Sequence, residues 1–446
     1  MTIDDSKIIR PFSSELCGTV RVPGDKSISH RAVMLSAVAS GESLIDNFLL
    51  SEDCLDTLHA VESLGVSVSR EDVRVRVKGL GGKLSASGRQ LDLGNSGTGM
   101  RLLAGLLAGQ KFSCEMMGDA SLLSRPMRRI KEPLELMGAK VELLGSRECA
   151  PMRITGADLE GIEYKLPVAS AQVKSCVLLA GLFAEGQTTI VEPAPSRDHT
   201  ERMLRAMNAD IEVDGPTIRL KGSGGNPLSL KAEEWIIPGD FSSAAFWITA
   251  AACREGSEII VENVGLNPRR IAFLGVLERM GADIEAIADC GLRNAEWEPV
   301  GNITVKGRKL KGTEIGGEEI PNLIDELPLV AVAGILAEGK TVIRDAAELR
   351  VKESDRIATM AAGLSALGVK VEETPDGMII EGGQEIAGDA QVDSCGDHRI
   401  AMALAVLALF AVGPVRIMRT DCVATSYPGF WEEMKKMMNG SQRAEN

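Results

Sequence analysis

The sequence repeats one pattern six times, and this repetition limits the possible folds more than any other feature. Each copy has an extended segment, a tight polar turn, an apolar helix of small residues and a glycine-containing turn into the next strand. A fixed period of this kind predicts stacked supersecondary units. Equivalent positions lie 70, 74, 72, 83 and 72 residues apart when counted through Lys26, Ser96, Ser170, Ser242, Asp325 and Asp397.

A second helix follows in each repeat. Its apolar residues have three-and-four spacing, and a Gly or Asn follows where a left-handed C-cap is expected. An alternating strand comes next, except in the sixth repeat, which lacks the returning strand. Each repeat is therefore predicted to run strand–helix–strand–helix with additional strands, which makes the chain an α/β protein.

Two near copies of one turn predict where the chain passes between domains. Pro23-Gly24 and Pro238-Gly239 each follow an extended run. Repeats one to three would form a domain of residues 23–237, and repeats four to six would join residues 1–22 in a domain with residues 238–446. We expect a substrate cleft between the two domains, because ligand sites prefer such positions. Six internal repeats already supply a complete architecture, so we expect a monomer.

Composition disfavours several classes of function. A net charge of −14 and an aromatic content of 3% are the opposite of what most nucleic-acid-binding surfaces need. The four His and nine Cys are scattered, with no C-x-x-C pair, so we expect reduced thiols and no metal or other cofactor. The N-terminal residues lack signal- and transit-peptide features, and no apolar run reaches about 20 residues. We therefore expect a cytoplasmic protein that binds neither nucleic acid nor membranes.

The starts of the apolar helices predict an anion-binding site. These helices are apolar on nearly all sides and should be buried. Their first N–H groups then need partners, and the positive end of each helix dipole favours an anion there. Each polar residue at these starts could also be a simple N-cap, a turn glycine or a solvated cation. The residues are Lys26, Ser27, Arg31, Asn95, Ser96, Gly97, Thr98, Arg101, Ser170, Gln172 and Lys174.

The starts of the second helices add cations and candidate proton-transfer groups. Lys352 and Arg356 are four residues apart, which predicts that they share one helix face. Asp325 is expected to open an apolar helix, either as an N-cap or as a general base. Glu353 is the second candidate for proton transfer, since two carboxylates in different charge environments can divide acid and base roles. The other cations at the starts of second helices are Arg125, Arg128, Arg129 and Arg197, while Arg399 is expected at the start of a buried apolar helix.

One phosphate-loop pattern is rejected. Residues 334–341, GILAEGKT, match the Walker A expression, which requires a strand before it and a helix after it. The predicted order here is helix before and strand after. We therefore expect an ordinary exit turn of the repeat and no nucleotide hydrolysis.

Seven motifs occur in the order of one known family. They are PGDKSISHRA, LGNSGTGMRLLAG, SRPMRRI, ASAQVKS, DELP, RVKESDRI and GDHRIAMA. Together they resemble the 3-phosphoshikimate 1-carboxyvinyltransferase (EPSP synthase) family of enolpyruvyl transferases along essentially the whole chain. The resemblance implies two domains, each of three βαβαββ units with buried parallel helices, in an inside-out α/β barrel. It also implies enolpyruvyl transfer from phosphoenolpyruvate to the 5-hydroxyl of shikimate 3-phosphate, a step toward chorismate and the aromatic amino acids, without metal or organic cofactor.

The same resemblance implies roles for individual residues. Asp325 matches the base that takes the 5-hydroxyl proton, while Glu353 and Lys26 match the groups that move a proton to and from the methylene carbon of phosphoenolpyruvate. Contacts with shikimate 3-phosphate are implied for Lys26, Ser27, Arg31, Ser170, Gln172, Arg197, Asp325 and Lys352, and Ser196 is a further candidate. Contacts with phosphoenolpyruvate are implied for Lys26, Gly97, Arg125, Gln172, Arg356 and Arg399.

The match departs from the commonest family pattern at several positions. Ala171 stands where Ser is frequent, Leu102 where Pro is frequent, and residues 424–426 where many members carry a Lys. These changes resemble the subgroup that contains glyphosate-tolerant members. Gly97 nevertheless leaves room that a methyl group would fill. We therefore expect glyphosate to compete with phosphoenolpyruvate.

Two alternative functions remain open from the sequence. The sister enolpyruvyl transferase that acts on UDP-N-acetylglucosamine has a K-N pair and a reactive Cys ahead of an R-P pair. This chain has Ser27 after Lys26, and Ala120 at the position of that Cys. A non-catalytic anion-binding relative would keep the fold and lose proton-transfer groups, whereas Lys26, Asp325 and Glu353 are all present.

Overall fold

Each repeat folds as one buried helix and one amphipathic helix beside a small mixed sheet. The structure, a computed structural model, describes residues 5–86, 88–289 and 297–444. These residues divide into two domains, each with its own apolar core. Domain A comprises residues 24–86 and 88–238 with Trp297 and Glu298, and domain B comprises residues 5–23, 239–289 and 299–444.

The observed domain limits differ from the expected ones in two ways. The breaks after Pro23 and Pro238 lie one residue from the positions predicted from the Pro-Gly turns. Trp297 and Glu298, expected with residues 238–446, group with domain A instead. Side-chain contacts explain this, because the Trp297 ring packs edge-on against Trp235 with centroids 5.1 Å apart.

Domain A contains three four-stranded sheets. In each, the first two strands are parallel and an antiparallel hairpin completes the sheet. A buried helix joins the two parallel strands in the sheets that begin with β6 and β10. Two strands of domain B, β1 (Ser6–Ile9) and β2 (Cys17–Arg21), precede this domain in the chain. The elements of domain A are α1 (Lys26–Val38), β3 (Ser40–Asp46), α2 (Glu52–Ser63), β4 (Ser67–Glu71), β5 (Arg74–Leu80), β6 (Leu91–Asp92), α3 (Gly97–Ala108), β7 (Ser113–Met117), α4 (Arg128–Leu136), β8 (Lys140–Leu143), β9 (Met152–Thr155), β10 (Glu163–Lys165), α5 (Ala171–Gly181), β11 (Gln187–Val191), α6 (His199–Ala206), β12 (Ile211–Asp214), β13 (Thr217–Lys221) and β14 (Glu234–Ile236).

Domain B repeats this arrangement with two four-stranded sheets and one three-stranded sheet. Residues 334–341, which match the Walker A expression, run from the end of a helix into a strand. This is the order expected for an exit turn rather than a phosphate loop. The elements that follow β14 are α7 (Phe241–Ala252), β15 (Glu258–Gly265), α8 (Ala272–Arg279), β16 (Asp283–Ala288), β17 (Val300–Lys306), β18 (Glu314–Ile315), α9 (Ile320–Leu323), α10 (Leu327–Leu336), β19 (Lys340–Ile343), α11 (Arg356–Ala366), β20 (Val371–Thr374), β21 (Gly377–Glu381), β22 (Ala390–Asp393), α12 (His398–Ala408), β23 (Val415–Met418) and α13 (Phe430–Ala444).

Three strands pair far from their place in the chain. The strand β14, which follows the third repeat, lies parallel to β3 and supplies the first strand of the first repeat. In the same way, β2 lies parallel to β15 and supplies the first strand of the fourth repeat. The N-terminal β1 pairs antiparallel with β23, where the sixth repeat has no hairpin of its own. Each domain is thus completed by a strand from outside its run of repeats.

The predicted mixed α/β class is confirmed. All six sheets are open across the described residues, so no single sheet closes into a barrel. No helix in this part of the chain has both the length and the apolar character needed to cross a membrane.

The small-residue helices are buried, as their composition predicts. All twelve residues of α7 are buried, and α1 is buried from Ile28 to Val38. A Cβ atom at Gly105 of α3 would lie 2.2 Å from the carbonyl oxygen of Cys176 on α5. Only glycine permits this close approach, which brings the backbones of α3 and α5 together.

The second helices end as the sequence pattern predicts. Two positions after the last residue of each of these helices, the backbone has a positive φ between 61° and 110°. This is the left-handed conformation expected beyond a helix C-cap. Four of the five positions are glycine and one is asparagine, the residues that adopt this conformation at least cost. They are Gly65, Gly138, Asn208, Gly281 and Gly368.

A buried histidine of α1 connects the middle of α2 with the start of α3 in domain A. His30 of α1 is hydrogen-bonded through Nδ1 to Thr57 Oγ1 of α2 at 2.8 Å. Its Nε2 lies 3.5 Å from the hydroxyl of Ser96, the N-cap residue of α3. Burial lowers the pKa of His30 well below the usual 6.5, and the charges of Lys26 and Arg31 act in the same direction. The imidazole is therefore neutral at pH 7.

The His30 pKa predicts a loss of stability in mild acid. As the pH falls below about 6.5, the unfolded chain takes up a proton at this residue while the folded domain does not. The free energy of unfolding should therefore fall by up to about 1.4 kcal/mol per pH unit from this one group. Thermal unfolding of the wild type and His30→Asn at pH 7.5, 6.5 and 5.5 measures the difference in slope.

The exposed His59 of α2 supplies the control for this measurement. His59→Asn should keep the wild-type dependence of the melting temperature on pH. An equal slope in the wild type and His30→Asn would contradict the prediction.

Candidate active site

The first helix of domain A places Lys26 beside a buried carboxylate. Asp25 is the N-cap residue of α1 and its carboxylate accepts a hydrogen bond from the Ile28 N–H group at 2.9 Å. Lys26 follows as the first helical residue and forms an ion pair with Asp53 in the first turn of α2. The Lys26 side chain is 18% exposed, so its ammonium group remains within reach of a ligand.

Arg31 lies one turn further along α1 and is buried. Its Nε donates to Thr200 Oγ1 at 2.7 Å, one Nη donates to Ser175 Oγ at 2.8 Å, and the other donates to the carbonyl oxygen of Ser27 at 2.8 Å. Burial lowers the pKa of Arg31 to about 10, and the charge of Glu201 opposes this shift. The guanidinium is therefore charged at neutral pH and held in a single orientation.

The starts of α3 and α5 are joined by side-chain hydrogen bonds. Gln172 accepts from Arg101 Nη1 at 2.8 Å and donates through Nε2 to Thr98 Oγ1 at 2.9 Å. Ser96 and Ser170 are the N-cap residues of the two helices, as predicted, and accept from the N–H groups of Gly99 and Val173. The first turns of α3 and α5 therefore form one polar surface.

Arg125 lies against the start of α3 and is held by two partners. Its Nη2 donates to Asn95 Oδ1 at 2.6 Å and to Ser121 Oγ at 3.0 Å. A Cβ atom at Gly97 would lie 3.1 Å from Arg125 Nη1 and 2.8 Å from Arg101 Nη1. The absence of a side chain at Gly97 thus lets two guanidinium groups lie close to the first turn of α3.

The predicted acid–base residue of domain B lies among arginines. Asp325 Oδ1 accepts from Arg356 Nη1 at 3.2 Å and lies 3.4 Å from Arg399 Nε. Asp325 precedes the first residue of α10 by two positions, and Glu326 occupies the cap position instead. Asp325 is therefore not an N-cap, which removes the simplest structural explanation for this carboxylate.

Arg356 binds three carboxylates at once. Its Nη2 donates to Glu353 Oε2 at 2.5 Å and its Nε donates to Asp397 Oδ2 at 2.8 Å, in addition to the Asp325 contact. Burial alone would lower the pKa of Arg356, but the charges of its three partners outweigh it and raise the pKa above the usual value. This guanidinium holds both candidate proton-transfer carboxylates, Asp325 and Glu353, in place.

The predicted common face of Lys352 and Arg356 is wrong. Lys352 lies outside the helix, at the end of a short 3-10 turn, and α11 begins only at Arg356 after its N-cap residue Asp355. The side chain of Asp355 accepts from the Ala358 N–H group and so starts the helix at this point. Desolvation lowers the pKa of Lys352 below its usual value, while the charge of Asp325 opposes the shift.

The predicted residues therefore form one cluster in each domain. Domain A brings together the groups of α1, α3 and α5 with Arg125, while Arg197 is half-buried between β11 and α6. Domain B brings together Asp325, Glu353, Arg356 and Arg399, with the charge of Lys352 acting on the same cluster.

Sequence reasoning missed the residues that orient these groups. Asp53 pairs with Lys26. Asn95 orients Arg125, although the sequence indicated Asn95 only as a residue at a helix start. Asp397 orients Arg356, although in the sequence it served only to mark the repeat. Asp397 offered a signal, because it opens a buried helix at the repeat position where polar groups recur. Asp53 lies on an ordinary second helix, and nothing in its sequence context marks it.

The chemistry available to such clusters is the binding of small anions with proton transfer. Helix N-termini and guanidinium groups donate hydrogen bonds to phosphate and carboxylate oxygens. Carboxylates fixed beside arginines, together with a partly exposed lysine, can accept and donate protons at a bound hydroxyl or carbon.

Comparison with known proteins identifies the family. A family model described as EPSP synthase (3-phosphoshikimate 1-carboxyvinyltransferase) matches residues 12–434. The 3-phosphoshikimate 1-carboxyvinyltransferase of Bacillus cytotoxicus is 49% identical over 424 residues, which covers 95% of this chain and 98% of that protein. The protein of the same description from Pelotomaculum thermopropionicum is 51% identical over 430 residues, covering 96% and 97%.

Solved structures agree with this assignment. The EPSP synthase from Acinetobacter baumannii superposes with a TM-score of 0.84 at 45% identity, covering 97% of this chain and 98% of that one. The enolpyruvyl transferase NikO from Streptomyces tendae has a TM-score of 0.76 at 19% identity, covering 98% of each chain, and shows the shared fold alone. The chain therefore belongs to the EPSP synthase (3-phosphoshikimate 1-carboxyvinyltransferase) family.

Proposed function

We propose that this chain transfers the enolpyruvyl group of phosphoenolpyruvate to the 5-hydroxyl of shikimate 3-phosphate and releases inorganic phosphate. The observation that carries the proposal is that the family match, residues 12–434, includes every residue given a role below.

Domain A supplies most of the contacts with shikimate 3-phosphate. The proposed residues are those of the helix starts and the cations beside them, because the substrate carries a phosphate and a carboxylate that need donors. Arg31 is already oriented by Thr200 and Ser175, so little side-chain entropy is lost on binding. The full proposed set is Lys26, Ser27, Arg31, Ser170, Gln172 and Arg197, with Asp325 and Lys352 from domain B.

Phosphoenolpyruvate is proposed to bind the remaining guanidinium groups. In domain A, Arg125 supplies donors, and Gly97 has no side chain to keep guanidinium groups away from the start of α3. In domain B, Arg356 and Arg399 now contact carboxylates and would turn part of their hydrogen-bonding capacity to the anion. The set is Lys26, Gly97, Arg125, Gln172, Arg356 and Arg399.

The reaction is proposed to proceed by addition and elimination. Asp325 takes the proton of the 5-hydroxyl while the hydroxyl oxygen attacks C2 of phosphoenolpyruvate. At the same time C3 receives a proton and becomes a methyl group. The resulting tetrahedral intermediate then loses phosphate from C2 while C3 gives up a proton, which regenerates the double bond in the product. Lys26 and Glu353 are the proposed donor and acceptor at C3, and the surrounding cations stabilise the charge on the phosphate.

The location and assembly of the protein are also proposals. A cytoplasmic location is supported by the eight free thiols among the described residues, because the cytosol keeps cysteines reduced. A monomer is supported by the six internal repeats, which complete each domain with strands of the same chain. No cofactor enters the proposed chemistry.

Phosphate release tests the proposed function directly. We expect release from phosphoenolpyruvate only when shikimate 3-phosphate is present, because the acceptor hydroxyl is a reactant. UDP-N-acetylglucosamine serves as the control acceptor for the sister transferase. Release with that sugar nucleotide would favour the sister activity, and binding of shikimate 3-phosphate without any release would favour a non-catalytic anion-binding protein.

The role of Asp325 predicts a loss of turnover on amide substitution. Asp325→Asn keeps the shape of the side chain and removes the base, so kcat should fall by about 10²- to 10⁴-fold while shikimate 3-phosphate still binds. The matched control is Asp283→Asn in the same domain, where the carboxylate pairs with Arg308 on the surface at 2.7 Å. Turnover of Asp325→Asn close to that of Asp283→Asn would remove Asp325 from the base role.

The geometry at Gly97 predicts how a methyl group would act. In Gly97→Ala the new Cβ lies within 3.1 Å of two guanidinium groups and must displace them. We expect a higher KM for phosphoenolpyruvate and weaker competitive inhibition by glyphosate. Gly275→Ala is the control, because no atom lies within 4 Å of a Cβ there. Steady-state kinetics with phosphoenolpyruvate varied at several glyphosate concentrations measures both effects, and unchanged constants in Gly97→Ala would disprove them.

A further inference from the structure

A lysine that the proposed mechanism does not use is completely buried in domain A. The Lys174 side chain has 0% exposure, although it lies in the first turn of α5 beside proposed substrate contacts. Its ammonium group lies 3.0 Å from Glu192 Oε2 and 2.7 Å from Glu201 Oε1, and both carboxylates are at least 97% buried. A buried lysine is costly without such partners, so the three side chains must be considered together.

One side of this cluster holds the segment that carries Arg197. Glu192 directly follows β11 and accepts a hydrogen bond from the hydroxyl of Ser196. Lys174 also donates to the carbonyl oxygen of Ser196 at 3.4 Å. Main chain and side chain of Ser196 are thus both attached to the cluster, which fixes the residue immediately before Arg197. Because the Ser196 hydroxyl donates to Glu192, we assign Ser196 to this attachment rather than to a direct substrate contact.

The other side of the cluster reaches Arg31. Glu201 lies on α6 next to Thr200, whose hydroxyl accepts from Arg31 Nε at 2.7 Å. The hydroxyl of Ser175, adjacent to Lys174 on α5, is 2.7 Å from that of Thr200 and accepts from Arg31 at 2.8 Å. Arg31 is therefore oriented by two residues that each neighbour a member of the cluster.

The charges explain why the cluster contains two carboxylates for one lysine. Lys174 and Arg31 together carry two positive charges, and Glu192 and Glu201 carry two negative charges. The pairs offset one another in the interior, where an unpaired charge is strongly unfavourable. The charge of Arg197 also acts on Arg31, where it opposes the charges of Glu201, Asp25 and Glu298.

We propose that Lys174, Glu192 and Glu201 form a positioning network that sets the affinity for shikimate 3-phosphate by orienting Arg31 on one side and the Ser196–Arg197 segment on the other. The three residues touch neither substrate and act only through these neighbours. The inference rests on the proposed function, because it concerns the same substrate. It adds three residues that the sequence analysis either did not single out or, for Lys174, read as part of the anion site itself.

Two near-isosteric substitutions test the network from its two sides. Glu192→Gln weakens the attachment of Ser196, and Glu201→Gln weakens the support beside Arg31, while Lys174 keeps one carboxylate partner in each variant. Loss of a hydrogen bond to a charged group predicts a rise of about tenfold in KM and Kd for shikimate 3-phosphate. The KM for phosphoenolpyruvate should stay within about twofold of the wild-type value, because the proposed cations for that substrate are held by other groups: Arg125 by Asn95, and Arg356 and Arg399 by Asp325.

A variant with a merely structural defect supplies the control. Gln110 is buried at the far end of α3, where its side chain bonds to the backbone at Leu84, Gly82 and Leu106. Gln110→Met should lower the melting temperature and leave both KM values unchanged. Melting temperatures of all variants, together with calorimetric titration of shikimate 3-phosphate without phosphoenolpyruvate, separate stability from affinity.

The outcomes distinguish this inference from the proposed function. Wild-type turnover with an unchanged KM for shikimate 3-phosphate in both glutamate variants would overturn the network and leave the function intact. An equal rise in both KM values would also overturn it, because the effect would then be general. Absence of turnover in the wild type would instead reject the proposed function. If one variant fails to fold, the other provides the measurement.

Discussion

Buried helix N-termini are the constraint on which the rest of this structure depends. Helices such as α1 and α7 are buried along nearly their whole length. Their first N–H groups still require acceptors, and burial prevents water from supplying them. Side chains at Asp25, Ser96 and Ser170 satisfy some of these groups. The remaining positive potential is what makes the same helix starts suitable for anionic substrates.

The charges in the two domains solve a related problem differently. In domain B, Arg356 is neutralised by three carboxylates, two of which are the proposed proton-transfer groups. In the proposed mechanism, binding and proton transfer are therefore connected through the Arg356 guanidinium. In domain A, the lysine Lys174 and its two glutamates lie beneath the surface and orient neighbours, while Lys26 and Arg197 remain partly exposed. In domain A the buried charges orient the candidate site residues, whereas in domain B the buried charges belong to the candidate site residues themselves.

The sequence predicted well whatever depends on local pattern. The apolar helices, the N-cap residues Ser96 and Ser170 and the left-handed residues after the second helices follow from rules that act over a few residues. The prediction failed where spacing was taken to continue a helix across its real start. Lys352 and Arg356 are four residues apart, but the Asp355 cap begins α11 between them. The carboxylate partner of Lys26, Asp53, is 27 residues away, and no local rule relates them.

The sequence by itself determined the repeat, the α/β class, the family and the identity of most proposed site residues, because these are encoded in short motifs. Only the tertiary structure decided which strand completes which sheet, as when β14 joins the first repeat and β2 the fourth. It alone also decided which carboxylate orients which cation. The physical reason is the same in both cases, since strand pairing and buried ion pairs are contacts between segments far apart in the chain, and their partners are selected by packing and desolvation rather than by neighbours in sequence.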